Sequence, residues 1–345
     1  MRIGLLTTSF PRHAGDYAGS FVGDRVRQLL ADGHAVDVLA AGDGSATREI
    51  AHPRLTVTRI DPPASVPSCD SLFYGDGAPE TLERGGARVW WTAAQFSVAL
   101  AAAARARAHR FDALESHWLV PSALAALAAA PDHHQRAFAH SGDVALLERI
   151  PFGRTVARRL ARGGVVLHFV SESLRSRFAA LAGVRVGTVE VLAPAGDGWA
   201  PRAGRRPRGP ARPIVLAVGR LVPIKGHDRL LRACARVQAG GAGQAIEVVI
   251  LGDGPERARL GRLADQLGVS LQLPGFVPRD EVARWLHAAD VFVQSSIQLP
   301  NGRSEGAPFA TAEARVVGIP ILVESDVARL AQALTDRIHA DGTGV

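Results

Sequence analysis

Short apolar runs alternate with amphipathic stretches along almost the whole chain. Ile3–Thr8 is one such run. A polar, glycine-containing loop follows it, SFPRHAGDYAGS, then a helical pattern over about 21–32 that Gly33 ends, then AVDVLAA. Strand, helix and strand in that order form the unit from which parallel sheets are built. FDALESHW, AFAHSGD and LHFVS are further apolar runs that each finish in polar residues. The second half begins again with PIVLAVG, and RLVPIKGHDRLLRACARV reads as a loop entering a helix. EVVILGDGPERARLGRLADQLG, LQLPGF, VPRDEVARWLHAA, DVFVQSS and IPILVE continue the alternation. The pattern predicts an α/β protein with two doubly wound domains and a cleft between them. Open parallel sheets bind ligands at the carboxyl ends of their strands, which draws attention to His117, His140 and Ser171.

Residues 196–212, GDGWAPRAGRRPRGPAR, break all periodicity and are rich in glycine, proline and arginine. They predict a linker over 197–212, between a domain at 1–196 and another at 213–345.

Composition narrows the function classes. Hydrophobic residues make up 47% of the 345 and charged residues 21%, enough for two ordinary cores. Cys69 and Cys234 stand far apart with no CxxC or Cys/His cluster, which argues against a disulfide framework and a structural zinc. The apolar run of MRIGLLTTSF is too short for a signal peptide. SVALAAAARARAHR (97–110) and LVPSALAALAAA (119–130) are broken by arginine or proline, short of the roughly 20 residues of a membrane span. The expectation is a cytoplasmic protein, at most peripheral at the inner face of the plasma membrane. The net charge of +7 suits an anionic partner. Its arginines lack aromatic interleaving or a nucleic-acid reader motif, so phosphorylated ligands and anionic lipid surfaces are expected rather than nucleic acid.

Chemistry concentrates in a few loops. GRSEGAPFATAEARVVGIP (302–320) holds Glu305 and Glu313, with Pro308 suited to the first turn of a helix. The N–H groups of residues 306–309 would then point at an anion. Eight helical residues rise ~12 Å, whereas glycosidase acid/base pairs stand roughly 5–9.5 Å apart. Two acceptors flanking an anion site instead fit a long hydroxyl-rich ligand with phosphate in its middle, such as a nucleotide sugar; two solvated helix residues fit as well. In AVGRLVPIKGHDRLL (217–231), Arg220 and Lys225 flank a proline-containing loop where a strand gives way to a helix. They could neutralise a departing diphosphate or simply form a basic surface. ILGDGPER (250–257) reads best as a plain turn. In SFPRHAGDYAGSF, Gly15 and Gly19 allow close backbone approach to a ligand, or only a flexible turn. AHSGD (139–143) puts His140, Gly142 and Asp143 at a strand end, where a site or a structural histidine would both fit.

Taken together the chain resembles the retaining glycosyltransferases of family 4, which have the GT-B fold of two Rossmann-like domains. The resemblance rests on GRLVPIKG (219–226), ILGDGP (250–255), LPGFVPRDEV (273–282), DVFVQSS (290–296) and EGAPFATAE (305–313) followed by GIP. It implies transfer of a sugar from a nucleotide-diphosphate sugar, with retention of configuration, to an acceptor hydroxyl in polysaccharide or glycolipid biosynthesis. No metal or other cofactor is implied. Glu305 would contact the donor sugar and Glu313 the ribose; Gly219, Arg220 and Lys225 would meet the diphosphate; Gly306, Ala307 and Pro308 would line the donor. His140 would stand by the transferred sugar, and Gly15, Gly19 and His117 on the acceptor and phosphate side, in an N-terminal acceptor-side domain. The partners implied are the nucleotide sugar, a saccharide or lipid-linked acceptor and an anionic membrane surface. The family continues after GIPILVES with a Gly-Gly-x-Pro-Glu turn and another strand; here Ser325 runs directly into DVARLAQALTDRI, so a shortened C-terminal domain is expected. A nucleotide-sugar hydrolase or epimerase of the same fold, and a nucleotide-sugar-binding protein without turnover, are the alternatives.

Overall fold

The computed structural model describes residues 1–13, 16, 18–42, 52–61, 70–74, 78, 81–82, 85–192, 194–195, 199–201, 212–240, 245–300, 305 and 309–339. The chain divides into two compact units, Met1–Ala195 and Gly196–Val345. Most of the arginine-rich stretch at 196–212 lies outside the described residues.

The first unit is built on seven parallel strands: β1 (Arg2–Leu6), β2 (Ala35–Ala41), β3 (Leu55–Ile60), β4 (Ala113–His117), β5 (His134–Ala139), β6 (Val166–Phe169) and β7 (Thr188–Val189). They lie in the order β3-β2-β1-β4-β5-β6-β7, with every pairing parallel. The order reverses between β1 and β4, the place where such sheets open a crevice. Both faces are covered, so the central strands are buried along most of their length rather than on alternate residues. On one face Leu5, Val36 and Val38 pack against Val22, Val26 and Leu29 of helix α1 (Ser20–Ala31). On the other, Leu6, Leu39 and Ala41 pack against Phe96, Leu100 and Ala104 of α2 (Ala87–Arg107). Each large side chain so buried contributes about 1.5–3 kcal/mol.

Two differences from the sequence pattern have simple causes. The first strand ends at Leu6, because Thr7 and Thr8 already belong to the loop: Thr7 Oγ1 donates to the Ser9 carbonyl at 3.0 Å. The pattern also passes over β3. It is an edge strand whose threonines break the apolar run, and only Ile60 in it is fully buried.

The second unit has five parallel strands, β8 (Ile214–Val218), β9 (Glu247–Leu251), β10 (Ser270–Gly275), β11 (Val291–Gln294) and β12 (Ile321–Val323), in the order β10-β9-β8-β11-β12. Here the reversal falls between β8 and β11. Leu230, Cys234, Leu330 and Leu334 cover one face, and Trp199, Leu286, Phe292 and Ala314 lie in the core of the other. Among the described residues the sheet ends at β12, and the chain enters the helix Val327–His339 three residues later. The turn between them is held by Arg229, whose Nη1 donates to the Ser325 carbonyl at 2.9 Å. No helix among the described residues is long and apolar enough to cross a membrane.

Candidate functional site

The residues expected to act on the donor emerge where β8 and β11 diverge. Gly219 leaves β8 with φ +154°, and a Cβ built there would lie 2.7 Å from Lys225 Cε and 2.9 Å from its Nζ. Only a residue without a side chain lets Lys225 fold back across the strand end. The loop is braced from both sides. Leu221 N donates to the Asp253 carbonyl at 2.8 Å and Glu256 N to the Leu221 carbonyl at 3.0 Å. ILGDGPER is therefore a turn that supports its neighbour. On the β11 side Ile297 N donates to Ile224 O at 2.9 Å, and Ser295 Oγ to Lys225 O at 3.2 Å.

Across this frame Lys225 Nζ meets Glu305 Oε1 in an ion pair. The second carboxylate oxygen, Oε2, accepts from Gln294 Nε2 at 2.8 Å and from the Ser296 hydroxyl, and Gln294 Nε2 also reaches Ser296. Lys225 keeps 14% of its side chain exposed and Glu305 18%. That is enough contact with water for an incoming ligand to compete for either partner. Arg220, half-buried, begins the same loop. His227, at the start of the following helix, is buried beside this cation; burial and Lys225 push its pKa down to about 3, so it stays neutral.

Glu313 does not share these partners. It sits on the buried side of the helix Phe309–Val317, with Oε1 2.8 Å from Nη2 of Arg279. The Arg279 guanidinium lies over the rings of Trp199, at 5.1 Å, and Phe309, at 5.3 Å. The two glutamates are thus separate stations rather than a pair. Gly306, Ala307 and Pro308 lie outside the described residues.

The corresponding edge of the first unit is aromatic. His117 ends β4 with no exposed surface, stacked on Phe138 at 5.2 Å, and its Nδ1 lies 3.4 Å from His140 Nε2. Phe21 and Trp118 each approach the His140 ring to 4.7 Å. Trp118 takes φ +78°, an unusual conformation for so large a residue, and turns the chain out of the strand. His140 keeps part of its surface open to solvent, but burial among these rings, with His117 beside it, holds its pKa well below the usual histidine value. At neutral pH it can therefore offer a neutral imidazole to a hydroxyl group.

Below this ring cluster Glu115 is 4% exposed and receives both Nε (2.7 Å) and Nη2 (2.8 Å) of Arg25. Burial alone would raise its pKa; the bidentate arginine and the nearby His117 outweigh that and bring it down to about 2. Asp143 accepts from Leu119 N (2.7 Å), Val144 N (2.8 Å) and His140 N (3.3 Å), while burial raises its pKa to about 7. Gly19 precedes α1 with φ +67°, where a Cβ would come within 2.3 Å of the Ser9 carbonyl. The loop before it is organised by Asp16, bound to Arg12 Nε at 2.6 Å and Ala18 N at 3.1 Å. Gly15 lies outside the described residues. Ser171, the third strand-end residue, caps the helix Glu172–Ala182 by accepting from Leu174 N at 3.3 Å.

The structure therefore divides the expected catalytic set. His117 and His140 meet in the first unit, and Gly219, Lys225 and Glu305 meet in the second. Sequence reasoning missed Gln294 and Ser296, although polar residues closing the buried strand DVFVQSS were a signal. It also missed Arg279, Arg25 and Glu115, whose pairings join residues 34 and 90 positions apart and leave no local trace. Among the described residues no three His, Cys, Asp or Glu side chains stand together as a metal site would need.

Two doubly wound units with their chemistry at the strand ends are the fold class of the GT-B glycosyltransferases. Solved chains agree. Sucrose-phosphate synthase from Thermosynechococcus elongatus superimposes with a TM-score of 0.69 over 99% of this chain and 90% of its own, at 17% identity. Anabaena HepE, solved in complex with UDP, gives 0.63 over 98% and 90%, also at 17% identity. Residues 205–342 match the family glycosyl transferases group 1. Over 184 residues the chain is 35% identical to the GDP-mannose-dependent alpha-(1-6)-phosphatidylinositol monomannoside mannosyltransferase of Mycobacterium tuberculosis, covering 50% of this chain and 47% of that one. It is 39% identical over 90 residues to the lipopolysaccharide core biosynthesis glycosyltransferase LpsE of Rhizobium meliloti, 26% of this chain and 25% of that one. The chain matches 32–47% of the length of the first curated relatives.

Proposed function

We propose that the protein is a retaining glycosyltransferase of family 4, moving a sugar from a nucleotide-diphosphate sugar to an acceptor hydroxyl in polysaccharide or glycolipid biosynthesis. The observation that carries this reading is the Lys225–Glu305 pair. It is held at the crevice between β8 and β11, partly open to water and backed by Gly219, Gln294 and Ser296. A bound diphosphate would draw Lys225, together with Arg220, onto its oxygens, and the released Glu305 carboxylate would accept from the sugar hydroxyls. As the bond from anomeric carbon to phosphate oxygen breaks, the two cations stabilise the charge that grows on the leaving oxygen. The acceptor hydroxyl forms the new bond from the same face, and its proton passes to that phosphate oxygen. The cations come from the chain itself, so the reaction needs no metal. Glu313, steadied by Arg279, is assigned to the ribose, and the neutral His140 to the transferred sugar. The Mycobacterium tuberculosis relative is a phosphatidylinositol monomannoside mannosyltransferase and LpsE serves lipopolysaccharide core biosynthesis, which supports a cytoplasmic protein meeting its acceptor at a membrane.

The test is a thermal-shift screen of the full chain against nucleotide-diphosphate sugars, followed by product analysis with the donor that binds. A ligand selective for the folded state raises the melting point. Sugar transferred with its configuration retained, in the presence of a chelator, is the expected result. Free sugar as the only product would favour a hydrolase, and no stabilising donor would overturn the reading.

A further inference from the structure

The helix α2 is apolar on two opposite sides. Thr92, Phe96, Leu100 and Ala104 face the core. On the far side Trp91, Ala94, Val98 and Ala102 form a stripe at helical spacing, with Trp90 beside it. Trp90 is 42% exposed, Trp91 59% and Val98 67%. A water-facing helix side ordinarily carries charge; this one has no carboxylate anywhere from Ala87 to Arg107. Its polar ends are basic, with Arg88 and Arg105 both exposed.

A second helix in the same layer supplies more positive charge. The short helix Leu124–Ala129 packs against both α2 and the helix Gly153–Arg162. The latter exposes Arg154, Arg158, Arg159 and Arg162 and likewise contains no acidic residue. Phe152, just before it, is 73% exposed.

The position of the tryptophans can be read from neighbouring contacts. Phe96 packs on Phe73 at 4.8 Å between ring centres. The adjacent Tyr74 hydroxyl donates to the carbonyl of Ala41, the last residue of β2, at 2.7 Å. Mid-helix thus lies at the carboxyl edge of the sheet. Trp91 precedes Phe96 by five residues, ~7.5 Å along the axis, so it projects past that edge, the edge that carries His117 and His140.

We propose that this helical layer docks on an anionic phospholipid bilayer, with Trp90 and Trp91 seated at the level of the headgroups and the arginines held by lipid phosphates. Tryptophan is favoured at that depth because its ring is apolar while its N–H stays wet. Exposed apolar residues beside unopposed arginines are the composition of a helix that lies in the interface. The inference deepens the proposed function by giving the lipid-linked acceptor a route to the carboxyl edge, and rests on it only for that purpose. Sedimentation of the full chain with vesicles of phosphatidylcholine, with and without phosphatidylglycerol, tests it. Binding is expected to the mixed vesicles, to weaken with added salt, and to fall about tenfold or more in Trp91→Glu. Arg158→Glu/Arg162→Glu should weaken it chiefly at low salt. Both variants change exposed positions, and unchanged melting curves will show that they fold. Binding unaffected by Trp91→Glu overturns the proposal, as does no binding to either vesicle. A dimer that Trp91→Glu dissociates, in a chain that ignores vesicles, would assign the face to a second copy and also overturn it. No sugar donor is present in this experiment, so its failure leaves the transfer reading standing, and failure of transfer leaves this one standing.

Discussion

Each sheet places a carboxylate and a cation beside the reversal of its strand order, at different heights, and uses them differently. In the first unit the pair is Arg25–Glu115, with Glu115 in the middle of β4, opposite Leu5 of β1, and 4% exposed. In the second it is Lys225–Glu305, on loops past the strand ends, with Glu305 at 18%. A buried bidentate pair cannot exchange partners without leaving a charge stranded, so it fixes the structure. A cation and carboxylate joined by one contact and each partly open to water can part for a ligand, with Gln294 and Ser296 still holding the carboxylate. Arg25 at 13% and Lys225 at 14% are equally buried, so the pairs differ in the burial of the carboxylate and in the bidentate contact rather than in the cation.

Breaking each pair should expose that contrast. Lys225→Ala or Glu305→Ala is expected to abolish transfer, a fall of at least about 10²–10³-fold in kcat. The melting point should move less than on breaking the buried pair, because Lys225 and Glu305 each keep some contact with water and can rehydrate when the partner is lost. Substantial activity in either variant would remove these residues from the mechanism. Glu115→Gln should do the reverse, costing about 3 kcal/mol in denaturant unfolding by stranding Arg25, with donor binding retained once the protein is folded.

That pair also makes a pH prediction. The carboxyl titrates at about 2 in the folded chain against an ordinary 4.5. Its stabilisation is therefore present above pH 4.5 and lost as the pH falls toward 2, about 3 kcal/mol in all. Glu115→Gln should flatten the acid limb of the stability curve in that window, and an unchanged limb would show that other carboxylates dominate.

Two smaller effects sharpen the picture within the second unit. Gly219→Ala introduces strain and pushes on Lys225, which should weaken donor binding about tenfold in calorimetry. Arg279→Gln removes a partner of Glu313 at a partly exposed site. A loss of no more than about fivefold in donor affinity is expected, with turnover of bound donor unchanged.

Much of the architecture was legible because the central strands are buried on both faces and stand out as apolar runs ending in polar residues. AVDVLAA coincides with β2 to the residue. The half-wet edge strand β3 has no such contrast. His117 and His140 were legible because chain geometry places them at the ends of strands, whereas Lys225 and Glu305 were legible from their loops and from the family resemblance those loops carry. Their partners were not. Arg25 reaches Glu115, and Arg279 reaches Glu313, only after the sheets have formed, and no local periodicity encodes either meeting.

Asp143 works as a rivet. Its single carboxylate takes amides from Leu119, His140 and Val144, and so fastens the segment leaving β4 to the one leaving β5. The imidazoles of His117 and His140 stand one on each side of that fastening, 3.4 Å apart between Nδ1 and Nε2. Whatever binds beside His140 then meets a surface set in advance rather than one it must assemble.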